Sequence, residues 1–278
     1  MKILFFQHVG ILGGSGRSLY ETVYEMQNQT AFSITVVCPK GKLSNILEVR
    51  GIKIFNVIGL SNFDNNNYSY YRGARWLILL REVALVFPTL LIFLKLKWNC
   101  RNFDIIHINE ITMPLVGIFA KLFYPKSKRI CHARAVQRNK KNFRSFMLGK
   151  VNRWAYNLII CIDKTVFNSF PYKIERRIIH NGLRIPVDAS KVSKINDLFR
   201  IGMVGSLNRS KGSFNLLKAA KALSAEQHNK KLEFYFYGGE PRIKSSFVNR
   251  LLKVLKMKED MYLDAVKFTP STISISYF

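Results

Sequence analysis

Two glycine-bearing turns and one histidine supply most of the chemistry that this sequence of 278 residues offers. Gly13, Gly14, Ser15 and Gly16 lie between an apolar run and a helix-like stretch, where backbone N–H groups and the positive end of a helix can meet an anion. The second turn, within Phe199 to Gly212, brings Gly205, Arg209, Lys211 and Gly212 before another helical stretch. Cations oppose the dipole at a helix N-terminus. A bound phosphate would remove that conflict, and a solvated pair of cations is the plain alternative. Neither turn completes the GxGxxG dinucleotide fingerprint, and no acidic residue stands about 20 positions on to hold a ribose, which disfavours a dehydrogenase. His132 ends an apolar run. A lone histidine there is more often a packed core residue, yet strand ends are where open α/β sheets place ligands.

The elements that would position these groups alternate strand with helix, the pattern of doubly wound parallel sheets. Strands are expected over 2–7, 33–38, 52–57, 104–108, 128–132, 158–162 and 177–179. Helices are expected over 17–29, 43–50, 114–123 and 146–157. Residues 62–71, with Asn65, Asn66 and Asn67, read as a polar surface loop. Periodicity is lost over 183–197, which reads as a linker between a first domain (1–182) and a second (198–278). The second series starts with a strand at 199–204, a helix at 213–223, a strand at 232–237 and a basic helix at 244–257. Residues 258–278 show no pattern.

Composition narrows the partners. With 48% hydrophobic residues the chain can fill a core, and 44 Lys and Arg against 17 Asp and Glu leave a net charge of +27 that calls for a polyanion. The basic residues are spread along the chain, and no RNA-binding sheet motif, zinc finger or basic zipper is present, so specific nucleic-acid binding is not expected. Nonspecific binding driven by charge would show a steep salt dependence. The four cysteines lack CxxC spacing and read as buried free thiols in a reducing, cytoplasmic setting. Trp76 to Leu94 approaches the length of a membrane span, but Arg81, Glu82 and Pro88 interrupt it. It reads as a buried or membrane-surface helical region, with Lys95 and Lys97 suited to anionic headgroups.

The ordered series Gly13-Gly14-Ser15, Asp104-Ile105-Ile106-His107, His132, Asn168-Ser169, Ile179-His180-Asn181-Gly182, Gly202-Met203-Val204-Gly205, Lys211-Gly212 and Tyr237-Gly238-Gly239 resembles GT-B glycosyltransferases of the family-4, glycogen-synthase-like group. The resemblance spans Met1 to about Gly239. It implies two Rossmann-like domains facing a cleft, the first holding the acceptor and the second a nucleotide-diphosphate sugar, with no metal or other cofactor. Retention of anomeric configuration is the usual outcome in this group.

By position, Lys211 matches the diphosphate-binding lysine. The usual arginine falls at Ser206, and Arg209 is the candidate substitute. Gly14 and Ser15 match the loop that approaches the donor phosphates, His132 the histidine facing the transferred sugar, and Asn181 the domain junction. The E-x7-E element has no counterpart, since Glu233 and Glu240 are separated by six residues. The second domain is therefore expected to be incomplete, as a truncated or frame-shifted reading frame would leave it. The function implied is transfer of a sugar to a glycan or lipid-linked acceptor in cell-surface polysaccharide or lipopolysaccharide assembly, on the cytoplasmic side and peripheral to an anionic membrane. The alternative is an inactive fragment or a non-enzymatic acceptor- or membrane-binding module.

Overall fold

The computed structural model describes residues 1–29, 31–67, 76–140, 142–182, 198–205, 211–225, 231–238 and 273–277. The chain divides into two compact units, Met1–Pro186 and Val187–Phe278.

Unit 1 is a seven-stranded sheet in the order β3-β2-β1-β4-β5-β6-β7, every neighbouring pair parallel. Its strands are β1 (Lys2–Phe6), β2 (Ser33–Pro39), β3 (Lys53–Val57), β4 (Ile105–Ile108), β5 (Lys128–Ala133), β6 (Leu158–Cys161) and β7 (Arg176–Ile178). Near-continuous apolar runs such as Ile3-Leu4-Phe5-Phe6 build such strands because both faces are covered. Helices α1 (Gly14–Gln27) and α2 (Lys42–Val49) share a core with one face, through Phe5, Leu19, Val36 and Leu47. On the other face α4 (Val86–Asn99), α5 (Pro114–Phe123) and α6 (Phe143–Ala155) enclose a larger core that includes Phe6, Phe93, Ile106 and Cys131. The short helices α3 (Ile78–Ala84) and α7 (Lys164–Asn168) complete the unit, α7 capped by the Asp163 carboxylate accepting from the Val166 N–H at 2.7 Å. Cys38, Cys131 and Cys161 are buried and free, and Cys100 is half-buried and free.

Two expectations change. Helix α1 begins at Gly14, inside the expected turn, because Gly16 folds tightly on the preceding loop: a Cβ there would stand 2.4 Å from the Ile11 carbonyl oxygen. The described part of the expected surface loop, 62–67, is instead pinned. Asn66 bridges Gln137, the Asn67 N–H donates to Val136 and the Arg138 N–H to Asn65, so Asn65 and Asn66 are buried with their backbone satisfied. The Trp76 to Leu94 region is divided between α3 and α4, and no described helix is long and apolar enough to cross a membrane.

In unit 2, β8 (Leu198–Val204), β9 (Lys231–Gly238) and β10 (Ile273–Tyr277) form a parallel sheet in the order β10-β9-β8. Strand β10 corrects the patternless reading of the tail. Its residues, Ile-Ser-Ile-Ser-Tyr, alternate apolar and polar and pair along β9. Helix α8 (Ser213–Ala225) places Leu217 and Ala220 against Phe234 and Phe236. The expected linker 183–197 and helix 244–257 lie outside the described residues.

Candidate functional site

Strand order turns round between β1 and β4, and the carboxyl ends of such a pair are where a parallel α/β sheet opens a crevice. The residues just past those ends are Gln7 and Asn109, both fully buried. Asn109 Nδ2 donates to Gln7 Oε1 at 2.8 Å and to the Ser15 carbonyl at 3.0 Å, while Gln7 Nε2 donates to Ser15 Oγ at 3.2 Å. The first turn of α1 is thereby tied to the switch point. Ser15 stands where the sequence placed it, its side chain engaged from the sheet.

Arg134 holds the rest together. Its guanidinium donates to the Asn109 carbonyl at 3.2 Å, Asn109 Oδ1 at 2.6 Å, Ser18 Oγ at 3.1 Å and Asn181 Oδ1 at 2.8 Å. Ser18 Oγ also donates to Asn181 Oδ1, at 3.1 Å. Asn181, from the segment after β7, therefore joins a network spanning β4, β5 and α1. Arg134 also meets His132 Nδ1 at 3.1 Å. An arginine only donates, so Nδ1 accepts and the imidazole proton resides on Nε2. Burial, then the Arg134 charge, then His107 push the His132 pKa down to about 2, so the ring is neutral. Its buried Nε2 finds no partner among the described residues, which leaves a donor of fixed position unused.

His107 stacks edge-on against His132, with ring centroids 5.7 Å apart, and against Phe5 at 5.0 Å. Burial and Arg134 push its pKa down to about 3, consistent with a packed strand residue. Glu110, one residue past Asn109, is 9% exposed, and burial lifts its carboxyl to about 7 against the opposing pull of Arg134. Its Oε1 accepts from the Ile111 N–H at 3.1 Å. A carboxyl poised near neutrality beside a cation can hold or release a proton.

Gly14 and Gly13 begin α1 without any side-chain cap, and no acid lies in the first turn. A Cβ on Gly14 would meet nothing within 4 Å, so packing in unit 1 does not require glycine there. In unit 2, Gly205 has φ +150° and Gly212 φ +81°, both in the region that glycine favours. The Gly212 carbonyl accepts from the Asn215 and Leu216 N–H groups at 3.0 Å and so opens α8. Lys211 is exposed immediately before it. Arg209 lies outside the described residues. Glu233 Oε2 accepts from Tyr235 Oη at 2.7 Å and faces Arg200 Nε at 3.4 Å.

Sequence reasoning thus named His132, Ser15 and Asn181 but missed Gln7, Ser18, Asn109, Glu110 and Arg134, which join them. Position was the available signal: Gln7, Asn109 and Arg134 follow directly on strand ends, and Glu110 is the second residue past β4. Among the described residues no group of His, Cys, Asp and Glu is placed to hold a metal.

No protein-family model matches the chain, and no curated protein matches its sequence. Solved structures do match its fold. HepE from Anabaena, crystallised with UDP-glucose, aligns over 100% of this chain and 69% of its own length, with a TM-score of 0.62 at 16% identity. A glycosyltransferase from Rickettsia africae aligns over 99% and 68%, with a TM-score of 0.62 at 14% identity. A UDP-N-acetylglucosamine 2-epimerase aligns over 100% and 68%, with a TM-score of 0.53 at 11% identity.

Proposed function

The chain has the Rossmann-like α/β architecture of GT-B glycosyltransferases, and we propose that it moves a sugar from a nucleotide-diphosphate sugar to a glycan acceptor. Residues 1–182 serve the acceptor side and 198–278 the donor side. The acceptor is lipid-linked, in cell-surface polysaccharide or lipopolysaccharide assembly on the cytoplasmic face of an anionic membrane.

The observation that carries this reading is the Arg134 network at the switch point, beside the uncapped, glycine-lined start of α1. It supplies what sugar transfer asks of a protein: fixed hydrogen-bonding groups and positive potential where a leaving diphosphate develops charge. His132 offers a neutral Nε2 donor to a sugar hydroxyl. Lys211, with Arg209, neutralises the diphosphate from unit 2. The fold shared with HepE, whose crystal holds UDP-glucose, supports the donor class.

Isothermal titration of the folded protein with UDP, UDP-glucose and thymidine diphosphate tests the reading, with micromolar binding of at least one expected. Absence of binding to all three leaves the non-enzymatic module. Conversion of UDP-N-acetylglucosamine to an epimer without an acceptor would replace transfer by epimerisation, a chemistry the same fold hosts.

A further inference from the structure

Helices α3 to α6 carry an outward apolar surface that the network above does not use. Leu80, Val83, Phe87, Leu91, Leu94 and Trp98 are exposed and follow one another at steps of three or four residues, a continuous stripe along α3 and α4. Trp98 is 91% exposed. Phe143, Phe146, Met147 and Trp154 continue the exposed apolar surface on α6. Apolar area of this kind marks an interaction surface rather than chance exposure.

Charge identifies what it meets. From Pro114 to Asn157 there are eleven Lys and Arg and no Asp or Glu, and four of the cations, Lys121, Arg144, Lys150 and Arg153, lie on α5 and α6. Helix α4 adds Lys95 and Lys97, again without an acid. The one carboxylate of α3, Glu82, is buried and occupied: Oε2 accepts from the Asn62 N–H at 2.7 Å, and Oε1 pairs with Arg81. An apolar stripe set among cations and free of exposed acids matches an anionic lipid surface, where hydrocarbon and phosphate lie next to each other.

Between α3, α5 and α6 lies a cavity of about 460 Å³, walled by Leu79, Val83, Leu115, Ile118, Met147 and Val151. Arg144 also lines it, held over the rings of Phe63 at 5.8 Å and Trp76 at 5.2 Å. Its buried Nη1 has no hydrogen-bond partner among the described residues. A guanidinium nitrogen buried without a partner costs free energy until an anion meets it, and Glu82, which also lines the cavity, already has both carboxylate oxygens engaged by Asn62 and Arg81. We infer that the α3–α6 face docks on an anionic bilayer and that this chamber receives one acyl chain of an anionic phospholipid, its phosphate against Arg144. The inference deepens the membrane partner proposed above and rests on it.

The test uses the whole chain and two probes. Vesicles of phosphatidylglycerol and phosphatidylcholine, against vesicles of phosphatidylcholine alone, report docking. Monomeric dihexanoyl phosphatidylglycerol, titrated below its micelle concentration, reports the chamber. The expected result is at least tenfold preference for the anionic vesicles and saturable binding of one short-chain lipid. Ile118→Trp, which fills the chamber, should weaken the short-chain lipid at least tenfold while vesicle binding persists through the stripe and the cations. Arg144→Gln should abolish the preference of the chamber for phosphatidylglycerol over its choline analogue. Val151→Phe repeats the filling experiment if Ile118→Trp fails to fold by circular dichroism.

Equal binding to both vesicle types, or none, overturns the membrane reading and this one together. Anionic vesicle binding with short-chain binding absent, or unchanged by filling, overturns the chamber alone. A dimer that buries the stripe and persists when vesicles are added overturns docking in favour of a second copy of the chain. Glycosyl transfer is read in none of these arms, so they fail independently of the activity proposed above.

Discussion

Strand β5 carries an arginine near its amino end and another just past its carboxyl end, and the two are used in opposite ways. Arg129 is 3% exposed, and among the described residues its guanidinium donates to backbone carbonyls, those of Ala155, Tyr124, Pro125 and Ser127. Each acceptor is a loop or helix-end group that would otherwise be stranded at the amino edge of the sheet. Arg134, five residues on, donates mainly to side chains, from Asn109, Ser18 and Asn181, and keeps a neutral histidine beside it. The amino edge is closed upon itself. The carboxyl edge is held in place yet retains an unused His132 donor, an open Gly14 and a carboxyl near neutrality. One residue type serves structure at one edge and a site at the other, because only at the carboxyl edge do the strand-to-helix turns leave a crevice.

The largest effect is expected at Arg129. Arg129→Met leaves several buried carbonyls without donors and should cost about 3 kcal/mol of stability by chemical denaturation, with nucleotide binding in the folded fraction unchanged. Wild-type stability would erase the contrast. Arg134→Met should cost less, about 2 kcal/mol, but lower sugar transfer by about a hundredfold through misplaced site groups. If activity survives while stability falls, Arg134 is a second Arg129.

Acid should weaken the carboxyl edge. His107 and His132 have folded pKa values depressed to about 3 and about 2, so their stabilising effect is complete above 6.5 and is lost as pH falls. Each contributes a slope of up to about 1.4 kcal/mol per pH unit. Glu110 is raised to about 7, so the stability it contributes is complete below about 4.5 and is lost as pH rises towards 7. Its slope has the opposite sign. The net loss from pH 6.5 to 5.5 is then about 1 kcal/mol, and Glu110→Gln should make that loss steeper. Melting temperatures that stay flat across this range would show that the two imidazoles are not buried neutral.

In unit 2 the effects should be smaller. Gly212→Ala forces φ +81° on a residue with a side chain and should cost about 1 kcal/mol, seen as a lowered melting temperature. Lys211→Ala should shift stability by less than about 0.5 kcal/mol yet weaken UDP binding about tenfold. Unchanged affinity would return Lys211 to the ordinary solvated surface.

Most strands of unit 1 were legible because they are compact apolar runs bounded by polar or turn residues, β7, Arg-Arg-Ile, being the exception, and α5 was placed at Pro114 to Phe123, with its proline at the start. Strand β10 and the buried Asn65 and Asn66 were not, since partners distant in sequence decide both. Ser15, His132 and Asn181 could be named in advance. Only its place directly after β5 marked Arg134 among the many other arginines and lysines of so basic a chain.

The sequence by itself determined the alternation of strand and helix, the two glycine turns, the excess of positive charge and the absence of acids from Pro114 to Asn157, all properties of neighbouring residues. Only the tertiary structure decided which arginine anchors the crevice, which nitrogen of His132 carries the proton and which apolar residues remain outside. The anchoring depends on groups 25 to 116 positions apart, Arg134 with Asn109 and Ser18, the His132 proton on where the fold turns the nearby Arg134, and the titration on a burial that raises Glu110 and lowers the histidines.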